Sequence, residues 1–408
     1  MTERIATDCV VAGGGPAGMM LGFLLARAGI RTCVLEKHAD FLRDFRGDTV
    51  HPSTLAILSE LGLSARFDRL KQHRVQQLSI AFGDRLQPFV DFRGLKPFDY
   101  LVLVPQWDFL DMLADAGKVY PGFDLRMSTR ADALIEADGR VAGVRATAGE
   151  RTLEIRANLV VACDGRHSTL REAAGFTPID YGAPMDVLWF RLPRNDDDPK
   201  EVFGRAAFGH LLVLLNRDDY WQAAYVVAKG AASELRERPI AVFHEAIARI
   251  APFLAGRAKR IEGWDEVKLL EVTVDRLQRW HRPGLLLIGD AAHAMSPVGG
   301  VGINLAIQDA VAAANALAPA LANGGVPDER VLAAVQRRRE FPTRFTQALQ
   351  RQIQKRVIAP ALSSNAQPDL PKLLQWLLRF RAVRHIPARV LGYGVRREHV
   401  RSGEAKRA

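Results

Sequence analysis

The stretch from Asp8 to Glu36, DCVVAGGGPAGMMLGFLLARAGIRTCVLE, decides the fold of this chain. It opens with an apolar run, residues 9–12, which predicts a buried parallel strand. A helical pattern follows over residues 16–28, and a second apolar strand over residues 31–35 ends at Glu36. A strand, a helix and a second strand that ends in an acid form the βαβ unit typical of a dinucleotide site.

Three glycines, Gly13, Gly15 and Gly18, form the pattern G-x-G-x-x-G between the first strand and the helix. The first permits a tight turn, the second lets the backbone approach a pyrophosphate, and the third lets the helix pack close to the strand. The helix that begins at Pro16-Ala17 directs its free N–H groups at the phosphates. Glu36 can accept hydrogen bonds from ribose hydroxyls. These residues are predicted to bind a dinucleotide, and the stretch alone does not select which one.

The composition limits the classes of partner. The chain has 408 residues, 48% of them hydrophobic, which is enough for one large core or about two to three smaller ones. Its formal charge, 56 − 46 = +10, favours anionic partners such as a dinucleotide, an acidic substrate or a membrane surface. The arginines are spread along the chain, and no zinc-finger or helix-turn-helix pattern is present. We therefore expect no nucleic-acid partner.

The three cysteines, Cys9, Cys33 and Cys163, lie within predicted buried strands, where they act as small core residues. The sequence has no C-x-x-C, so neither a dithiol centre nor a metal site is predicted. Three unpaired cysteines suit a reducing compartment. The N-terminus lacks a signal-peptide pattern, and no apolar run approaches the roughly 18 residues of a spanning helix. We therefore expect a cytoplasmic protein without a transmembrane segment.

Two later motifs also follow apolar strands. Residues 159–163 form a predicted buried strand that runs into Asp164-Gly165, and a further apolar strand, residues 285–288, runs into Gly289-Asp290. Residues 299–304, which are rich in glycine, then open a long alanine-rich helix. The intervening residues 180–270 differ, because they contain strand-like runs with tryptophan and tyrosine. We infer that the first and third regions build one sheet and that the middle region is inserted between them.

The three motifs together point to a family. In order and spacing, the glycine motif of residues 13–18 with Glu36, the turn Asp164-Gly165 and the turn Gly289-Asp290 resemble the fingerprints of single-component (class A) FAD-dependent aromatic monooxygenases, the group typified by p-hydroxybenzoate hydroxylase. The likeness covers nearly the whole chain. It implies an α/β fold in which a Rossmann-like FAD-binding domain carries an inserted β-sheet-rich substrate domain and a helical C-terminal region. The implied FAD-binding domain comprises residues 1–74, 98–178 and 271–355, the substrate domain comprises strands from 75–97 and a mostly antiparallel sheet from 179–270, and the helical region comprises 356–408.

The resemblance implies FAD as the cofactor and NAD(P)H as a transient co-substrate. A second G-x-G-x-x-G in a βαβ context is absent, which agrees with a nicotinamide that binds only briefly. The N–H groups of the helix opened by residues 299–304 would also stabilise an anionic reduced flavin. Besides the first motif, the predicted cofactor residues are Lys37, Arg46, Gln106, Asp164, Asp290, Gly300, Gly302, Ile303 and Asn304.

Some of these residues have plain structural alternatives. Arg43 is the alternative to Arg46 for the arginine that the resemblance places near the pyrophosphate or the ribityl chain. Asp164 can belong to a simple strand-to-helix turn in which Thr169 and Glu172 form a capping box. Asp290 can serve as a helix N-cap, and this function is compatible with cofactor binding.

The resemblance also implies the reaction. NAD(P)H would reduce FAD, dioxygen would form a flavin C4a-hydroperoxide, and one oxygen atom would be added to a phenolic or polycyclic aromatic substrate. The cofactor carries this chemistry, so no catalytic side chain is assigned. His51, His167 and His293 are the candidates for a base, and for each of them a structural histidine is the alternative that we favour.

The reaction pocket is expected near Pro297, the proline that the resemblance places beside the flavin ring. One aromatic strand of the inserted region supplies candidate lining residues. Because side chains alternate along a strand, Tyr220 and Gln222 share one face, and Trp221 and Tyr225 share the other. The sequence does not select between the two faces, and a core role for the aromatic residues is the alternative.

Two other functions compete with the hydroxylase. A flavin halogenase or an isoprenoid reductase would belong to the same wider structural group, but the halogenase signature W-x-W-x-I-P is absent. A basic FAD-binding protein without turnover, in weak peripheral contact with a membrane, finds support in residues 373–397, where apolar residues and arginines mix. Such a pattern is more often a helix that packs on its own domain. The sequence favours neither NADH nor NADPH and no particular oligomeric state.

Overall fold

Four β-sheets organise the part of the chain that the computed structural model describes, residues 2–42, 49–82, 85–199, 202–363 and 376–405. The strands are β1 (Thr2–Ala12), β2 (Thr32–Leu35), β3 (Thr49–Val50), β4 (His73–Val75), β5 (Gln77–Phe82), β6 (Arg85–Asp91), β7 (Leu101–Leu103), β8 (Phe123–Arg126), β9 (Thr129–Ala137), β10 (Arg140–Ala148), β11 (Arg151–Ala162), β12 (Ile179–Asp180), β13 (Met185–Pro193), β14 (Val202–Ala207), β15 (His210–Asn216), β16 (Tyr220–Ala228), β17 (Lys268–Leu270), β18 (Asp275–Arg276), β19 (His281–Arg282) and β20 (Leu285–Leu287).

Helices cover the faces of the larger sheets and form the C-terminal region. A π-helical turn, Gln354–Ile358, joins the two helices α10 and α11. The α-helices are α1 (Pro16–Arg27), α2 (Pro52–Glu60), α3 (Ser64–Phe67), α4 (Gln106–Gly117), α5 (Thr169–Ala173), α6 (Ala231–Arg236), α7 (Ile240–Ile250), α8 (Ala255–Ala258), α9 (Gly302–Leu321), α10 (Glu329–Ile353), α11 (Ala359–Ser363) and α12 (Arg381–Tyr393).

The largest sheet has eight strands in the order β19-β20-β11-β1-β2-β8, and β10 and β9 extend it from β11 as an antiparallel meander. The pairs β20–β11, β11–β1, β1–β2 and β2–β8 are parallel. Their carboxyl ends therefore meet at one edge of the sheet. Gly13, Glu36, Asp164 and Gly289 follow β1, β2, β11 and β20 at that edge, where open α/β sheets bind their ligands.

The apolar runs of the central strands are buried because both faces of the sheet are covered. Cys9 and Val11 of β1 pack into the cluster that contains α1, α4 and α9, whereas Val10 and Ala12 pack against the meander. All four residues are 0% exposed. Full burial of a valine contributes about 1.5–3 kcal/mol, so this alternation fixes the register of β1.

The second large sheet has seven strands in the order β17-β13-β16-β15-β14-β5-β6. All of its pairs are antiparallel except β14–β5, so residues 77–91 join strands from the inserted region. One face packs under α7 in a cluster that includes Phe190, Trp221 and Phe243. The other face packs against Val298, Ile353 and the π-helical turn. The loop before α9 therefore lies against the second sheet.

Within the described part of the chain, one helical stretch, Val298–Gly324, has the length and apolar composition of a membrane-spanning segment. Its most apolar window is 72% buried inside the protein. A buried α9 of this kind is typical of the core helix of a globular domain, where neighbouring elements surround it.

Candidate active site at the carboxyl edge of the parallel sheet

The glycine turn after β1 is closely packed at its first and third glycines and open at the second. Gly13 has a φ of +105°, and a Cβ there would lie 2.4 Å from the carbonyl oxygen of Cys163. A Cβ on Gly18 would lie 1.8 Å from the carbonyl oxygen of Gly13. At Gly15, the N-cap of α1, a Cβ would meet no atom within 4 Å. The N-terminus of α1 therefore faces open space, as an anion-binding helix end requires.

Glu36 is 8% exposed and closes the turn from the opposite side. Its Oε2 accepts a hydrogen bond from the backbone N–H of Gly14 at 3.0 Å, and its Oε1 accepts one from the N–H of His38 at 3.0 Å. The Nδ1 of His38 lies 2.6 Å from the same Oε1. The carboxylate is thereby fixed beside the glycine turn, where a ribose would lie. Lys37 is exposed.

Two further predicted cofactor residues remain predictions. Arg46, like its competitor Arg43, lies outside the described residues. Gln106 is the first residue of α4 and is half-buried. Its side chain makes no hydrogen bond to any part of the chain that the structure describes, so its amide remains available to a ligand.

Asp164 directs its carboxylate at the start of α5. It accepts hydrogen bonds from the hydroxyl of Ser168 at 2.5 Å and from the backbone N–H of Leu170 at 3.2 Å. Ser168 is the N-cap and accepts from the N–H of Arg171. The predicted alternative, a turn that caps a helix, is therefore right in kind, but Ser168 caps α5 and the predicted box of Thr169 and Glu172 is wrong. Burial raises the pKa of Asp164 above its ordinary value.

Asp290 lies in a short 3₁₀ turn, Gly289–Ala291, whose N-cap is Ile288. The N-cap function considered for Asp290 is therefore wrong. Its carboxylate instead accepts a hydrogen bond from Nε of Arg166 at 3.2 Å. The pair joins the motif after β11 to the motif after β20, and both side chains remain partly exposed at the edge of the sheet.

The loop before α9 is held by Asn304. Val298–Gly300 forms a 3₁₀ turn in which Gly299 and Gly300 have φ values of +80° and +61°. The side-chain oxygen of Asn304 accepts from the backbone N–H of His51 and from the hydroxyl of Thr54, both at 2.8 Å. Its Nδ2 donates to Gly300 O at 3.2 Å. The side chain of Asn304 thus joins β3 and α2 to this loop. A cofactor bound here would therefore contact the backbone of Asn304 and not its side chain.

The remaining predicted members of this loop, Gly302 and Ile303, begin α9. A Cβ on Gly300 would lie 2.9 Å from the side chain of Thr49. A Cβ on Gly302 would meet no atom within 4 Å. The first turn of α9 therefore also faces open space, which fits a ligand that approaches its N-terminal N–H groups.

A fully buried ionic network supports this edge, and the sequence reasoning missed it. Asp309 of α9 accepts from Nε of Arg339 at 2.8 Å, and its other oxygen lies 2.6 Å from Nε2 of His293. That same oxygen accepts from the backbone N–H of Gly289 at 3.2 Å. Arg339 continues to Glu398 at 3.2 Å. The sequence signal for this network was that Asp309 and Arg339 are charged residues on largely apolar, buried faces of their helices.

The charges of this network settle the state of its acid. Burial alone would raise the pKa of Asp309, but His293 and Arg339 outweigh that effect and hold the pKa below its ordinary value. His293 also stacks on Trp280, with ring centroids 4.9 Å apart. His293 is therefore a structural histidine.

The other two candidate bases differ in exposure. His51 is 0% exposed, and neither ring nitrogen has a hydrogen-bond partner among the described residues. Burial lowers its pKa to about 4, and nearby backbone groups of Gly299, Gly300 and Leu391 oppose this shift only in part. His51 is therefore neutral at neutral pH. His167 is exposed.

The two faces of β16 are distinguished by their packing. Trp221 is 0% exposed and donates its indole N–H to Asp198, and Tyr225 is 2% exposed, with its hydroxyl 2.5 Å from Nδ1 of His210. Both belong to the cluster under α7. These two aromatic residues therefore take the core role that the sequence left open as the alternative, on the face away from Val298.

The opposite face of β16 turns toward the loop before α9. Ala224 and Val226 pack in the cluster that Val298 joins. Gln222 lies on the same face two residues before Ala224, and it accepts a hydrogen bond from Nε of Arg217 at 2.9 Å. Tyr220 lies on the same face at the end of the strand, where Arg191 stacks over its ring. This face of β16 therefore packs toward Val298, the residue after Pro297.

The described residues contain no cluster of three or more histidine, cysteine or acidic side chains that could hold a metal ion. The three cysteines are free and buried. Burial raises the pKa of Cys33 to about 12, so this thiol is protonated and unreactive at neutral pH.

The fold and the site define a class, namely an α/β protein with a dinucleotide site at the carboxyl edge of its parallel sheet, facing a second sheet. Residues 6–349 match the family described as FAD binding domain. The 6-methylpretetramide 4-monooxygenase of Streptomyces rimosus is 32% identical over 400 residues, which cover 97% of this chain and 94% of that protein. The chain belongs to the family of FAD-dependent aromatic monooxygenases.

Two solved structures share the fold. PqsL of Pseudomonas aeruginosa in complex with 2-aminobenzoylacetate has a TM-score of 0.76 at 21% identity, over 88% of this chain and 100% of that chain. The flavin-dependent brominase Bmp2 has a TM-score of 0.78 at 17% identity, over 96% of this chain and 94% of that chain. The predicted fold class, family, enzyme class and FAD cofactor are thereby confirmed.

Proposed function

We propose that this enzyme uses NAD(P)H and dioxygen to hydroxylate a phenolic or polycyclic aromatic substrate. The balanced reaction is RH + O₂ + NAD(P)H + H⁺ → ROH + H₂O + NAD(P)⁺. The nicotinamide is oxidised, one oxygen atom enters the substrate, and the other leaves as water. The observation that carries the proposal is the convergence of the turns at Gly13, Asp164 and Gly289 on one edge, where the loop before α9 packs against the second sheet.

Names of relatives support an aromatic substrate. The 32% identical relative is named as a monooxygenase of 6-methylpretetramide. The structurally similar PqsL was solved with 2-aminobenzoylacetate. The brominase likeness concerns the fold alone, and the halogenase signature W-x-W-x-I-P is missing from this sequence. We therefore favour oxygen insertion over halogenation.

The residues at the edge fit FAD in defined ways. The N-terminus of α1 would hold the pyrophosphate, and Glu36 would accept from the ribose of the adenosine half. Asp290, held by Arg166, would accept hydroxyls of the ribityl chain at the other half. The first turn of α9 would direct its N–H groups at the flavin ring. Bound FAD would accept a hydride from NAD(P)H and pass electrons to dioxygen.

The second sheet would hold the substrate against the ring. Ala224, Val226 and Val298 provide an apolar wall, and a ring held there is separated from bulk water, which protects reactive oxygen chemistry from side reactions. Gln222, buried at 3% exposure, is the polar group on this face. It would orient a phenolic hydroxyl by hydrogen bonding.

Two further proposals concern location and surface. Three buried, free cysteines suit a reducing compartment, so we place the enzyme in the cytoplasm. In the described C-terminal region, Trp376, Phe380 and Ile386 are 52%, 48% and 67% exposed, which supports a weak peripheral membrane contact. Liposome flotation tests the contact, and the absence of the protein from the floating fraction would remove it.

The hydroxylase proposal is tested by NAD(P)H consumption in the presence of ¹⁸O₂ and a panel of phenolic and polycyclic aromatic compounds. We expect at least one compound to accelerate NAD(P)H oxidation and to gain one ¹⁸O atom. A parallel reaction with bromide separates halogenation from hydroxylation. If no compound gains labelled oxygen, or if a brominated product forms instead, the proposal is wrong.

A further inference from the structure

Three buried glutamines, two on α10 and one at the start of the π-helical turn that follows it, face the segment that leads into the loop before α9. Gln347, Gln350 and Gln354 are 2%, 3% and 2% exposed, although glutamine is mostly a surface residue in globular proteins. Their spacing of three and four residues places them on one face of the helix. A polar amide at each of these buried positions requires hydrogen-bond partners.

The segment that they face is irregular and buried. Residues 293–297 have no regular secondary structure, yet Ala294, Met295 and Ser296 are 0%, 4% and 1% exposed. Buried backbone carbonyls outside helices and strands need partners from elsewhere in the protein. The glutamines supply those partners at alternate residues of the segment.

Gln350 and Gln354 hold the end of the segment nearest Pro297. The Nε2 group of Gln350 donates to the carbonyl oxygens of Ser296 at 2.9 Å and of Val298 at 2.8 Å. These are the carbonyls immediately before and after Pro297. Because both neighbours are acceptors, only the NH₂ end of the amide can face them. The Nε2 group of Gln354 donates to the hydroxyl of Ser296 at 2.8 Å.

Gln347 holds the other end of the segment. Its Nε2 group donates to the carbonyl oxygens of Asp275 at 2.7 Å and of Ala294 at 3.0 Å. Its Oε1 accepts from Arg276 at 2.7 Å. The three amides therefore hold residues 294 and 296 of the segment and residue 298 just after it.

The helix changes geometry where it reaches the loop. The π-helical turn Gln354–Ile358 follows α10 directly, and Ile358 packs in the same cluster as Val298. π-Helical turns are rare and are frequent at functional sites. The widened turn lets one helix present both an amide to Ser296 and an apolar side chain to the wall of the proposed pocket.

We propose that Gln347, Gln350 and Gln354, here called the glutamine ladder, are positioning residues for the flavin ring. They fix the position of Pro297 and of the first turn of α9 relative to the flavin ring, and this position sets the geometry of oxygen transfer. The inference rests on the proposed function, in which this loop holds the ring. A displacement of about 1 Å can cost about 100-fold in a reaction that depends on orientation.

Loss of this geometry has a defined chemical outcome. In the uncoupled reaction, NAD(P)H + H⁺ + O₂ → NAD(P)⁺ + H₂O₂, the nicotinamide is still oxidised but both oxygen atoms leave as hydrogen peroxide. The ratio of peroxide formed to NAD(P)H consumed therefore reports how well the loop is placed. The visible absorption spectrum and the reduction potential of bound FAD report the same placement without a substrate.

The test compares Gln350→Met with Gln352→Met, two changes of the same chemistry two residues apart. Gln350 holds the loop, whereas Gln352 is exposed on the opposite face of α10. We expect Gln350→Met to shift the flavin spectrum and the reduction potential of bound FAD and to raise the peroxide ratio at least about fivefold. Gln352→Met should match the unmodified enzyme in all three measurements.

Gln354→Met provides a second variant, because it removes only the bond to the hydroxyl of Ser296 and threatens folding least. It should shift the same spectrum in the same direction by a smaller amount. If Gln350→Met does not fold, Gln354→Met decides the matter. If neither variant alters the spectrum or the potential of bound FAD, the ladder is merely structural and the inference is wrong. Failure of the proposed function would appear instead as absence of ¹⁸O product from the unmodified enzyme.

Discussion

The two ends of the cofactor site are built by different means. At the adenosine end, Gly13 and Gly18 set the shape through backbone contacts that leave no space for a Cβ. At the end where we propose the flavin, the loop before α9 is held by side chains: Asn304 from the adjoining helix, and Gln350 and Gln354 from a distant part of the chain. The first end is determined by a local sequence motif, whereas the second depends on contacts that form only in the folded chain.

This difference predicts how the two ends respond to change. A backbone-built site tolerates almost no added volume, because its neighbours are main-chain atoms that cannot move aside. A site held by side chains can lose one hydrogen bond at a cost of about 1 kcal/mol and remain folded. We therefore expect binding to be fragile at the adenosine end and catalytic geometry to be adjustable at the flavin end.

The largest expected effect is at Gly18. In Gly18→Ala the new Cβ would lie 1.8 Å from the carbonyl oxygen of Gly13, so α1 must move away from β1. We expect FAD affinity to fall about 100-fold, equivalent to about 3 kcal/mol, as measured by fluorescence titration. Gly256→Ala is the control, because its Cβ would meet nothing within 4 Å. FAD affinity unchanged in Gly18→Ala would refute the idea of a backbone-built end.

The next effect concerns the ionic network that ties the two ends together. Asp309→Asn leaves the buried Arg339 with less compensation, and we expect the free energy of unfolding to fall by about 3 kcal/mol. Urea denaturation measures it. Since the pKa of Asp309 is held below its ordinary 3.8, its stabilisation is present above that pH and is lost as the pH falls through the folded-state pKa. Glu234→Gln breaks the exposed ion pair between Glu234 and Arg238 and should cost less than about 0.5 kcal/mol. Equal losses of stability in the two variants would contradict this account.

The smallest of the three effects sharpens the flavin end. The pKa of His51 is lowered from 6.5 to about 4, so the unfolded chain binds more protons between these values and stability falls as the pH falls through that window. Between pH 7 and pH 5 this amounts to about 2 kcal/mol. We expect His51→Gln to remove that share of the pH dependence in urea denaturation. His167→Gln, at an exposed position, should keep it, and an unchanged profile in His51→Gln would show that another group is responsible.

The parts that the sequence predicted are those that depend on local chemistry. The glycine pattern with Glu36 fixed the βαβ unit, and Asp164 and Gly289-Asp290 lie at the predicted edge. A strand followed by a glycine turn and a helix has few alternative structures, so the local sequence is enough to predict it. The family and the FAD cofactor followed from the same residues.

The parts that the sequence did not predict depend on contacts between distant elements. The choice between the faces of β16 was decided by α7 and by Val298, which are remote from it in sequence. The carboxylate of Asp164 accepts a hydrogen bond from Ser168, which would compete with a cofactor for that carboxylate. The network of Asp309 and the glutamine ladder each join residues tens of positions apart. No local pattern specifies such partners.

The most direct test of the central claim is a crystal structure of the enzyme with FAD. We predict the pyrophosphate at the N-terminus of α1, near Gly15, and the flavin ring against Pro297 and the first turn of α9. The carbonyls of Ser296 and Val298 should still accept from Gln350. A structure in which FAD is ordered but the ring lies away from Pro297, or in which the pyrophosphate lies elsewhere than α1, would contradict the claim.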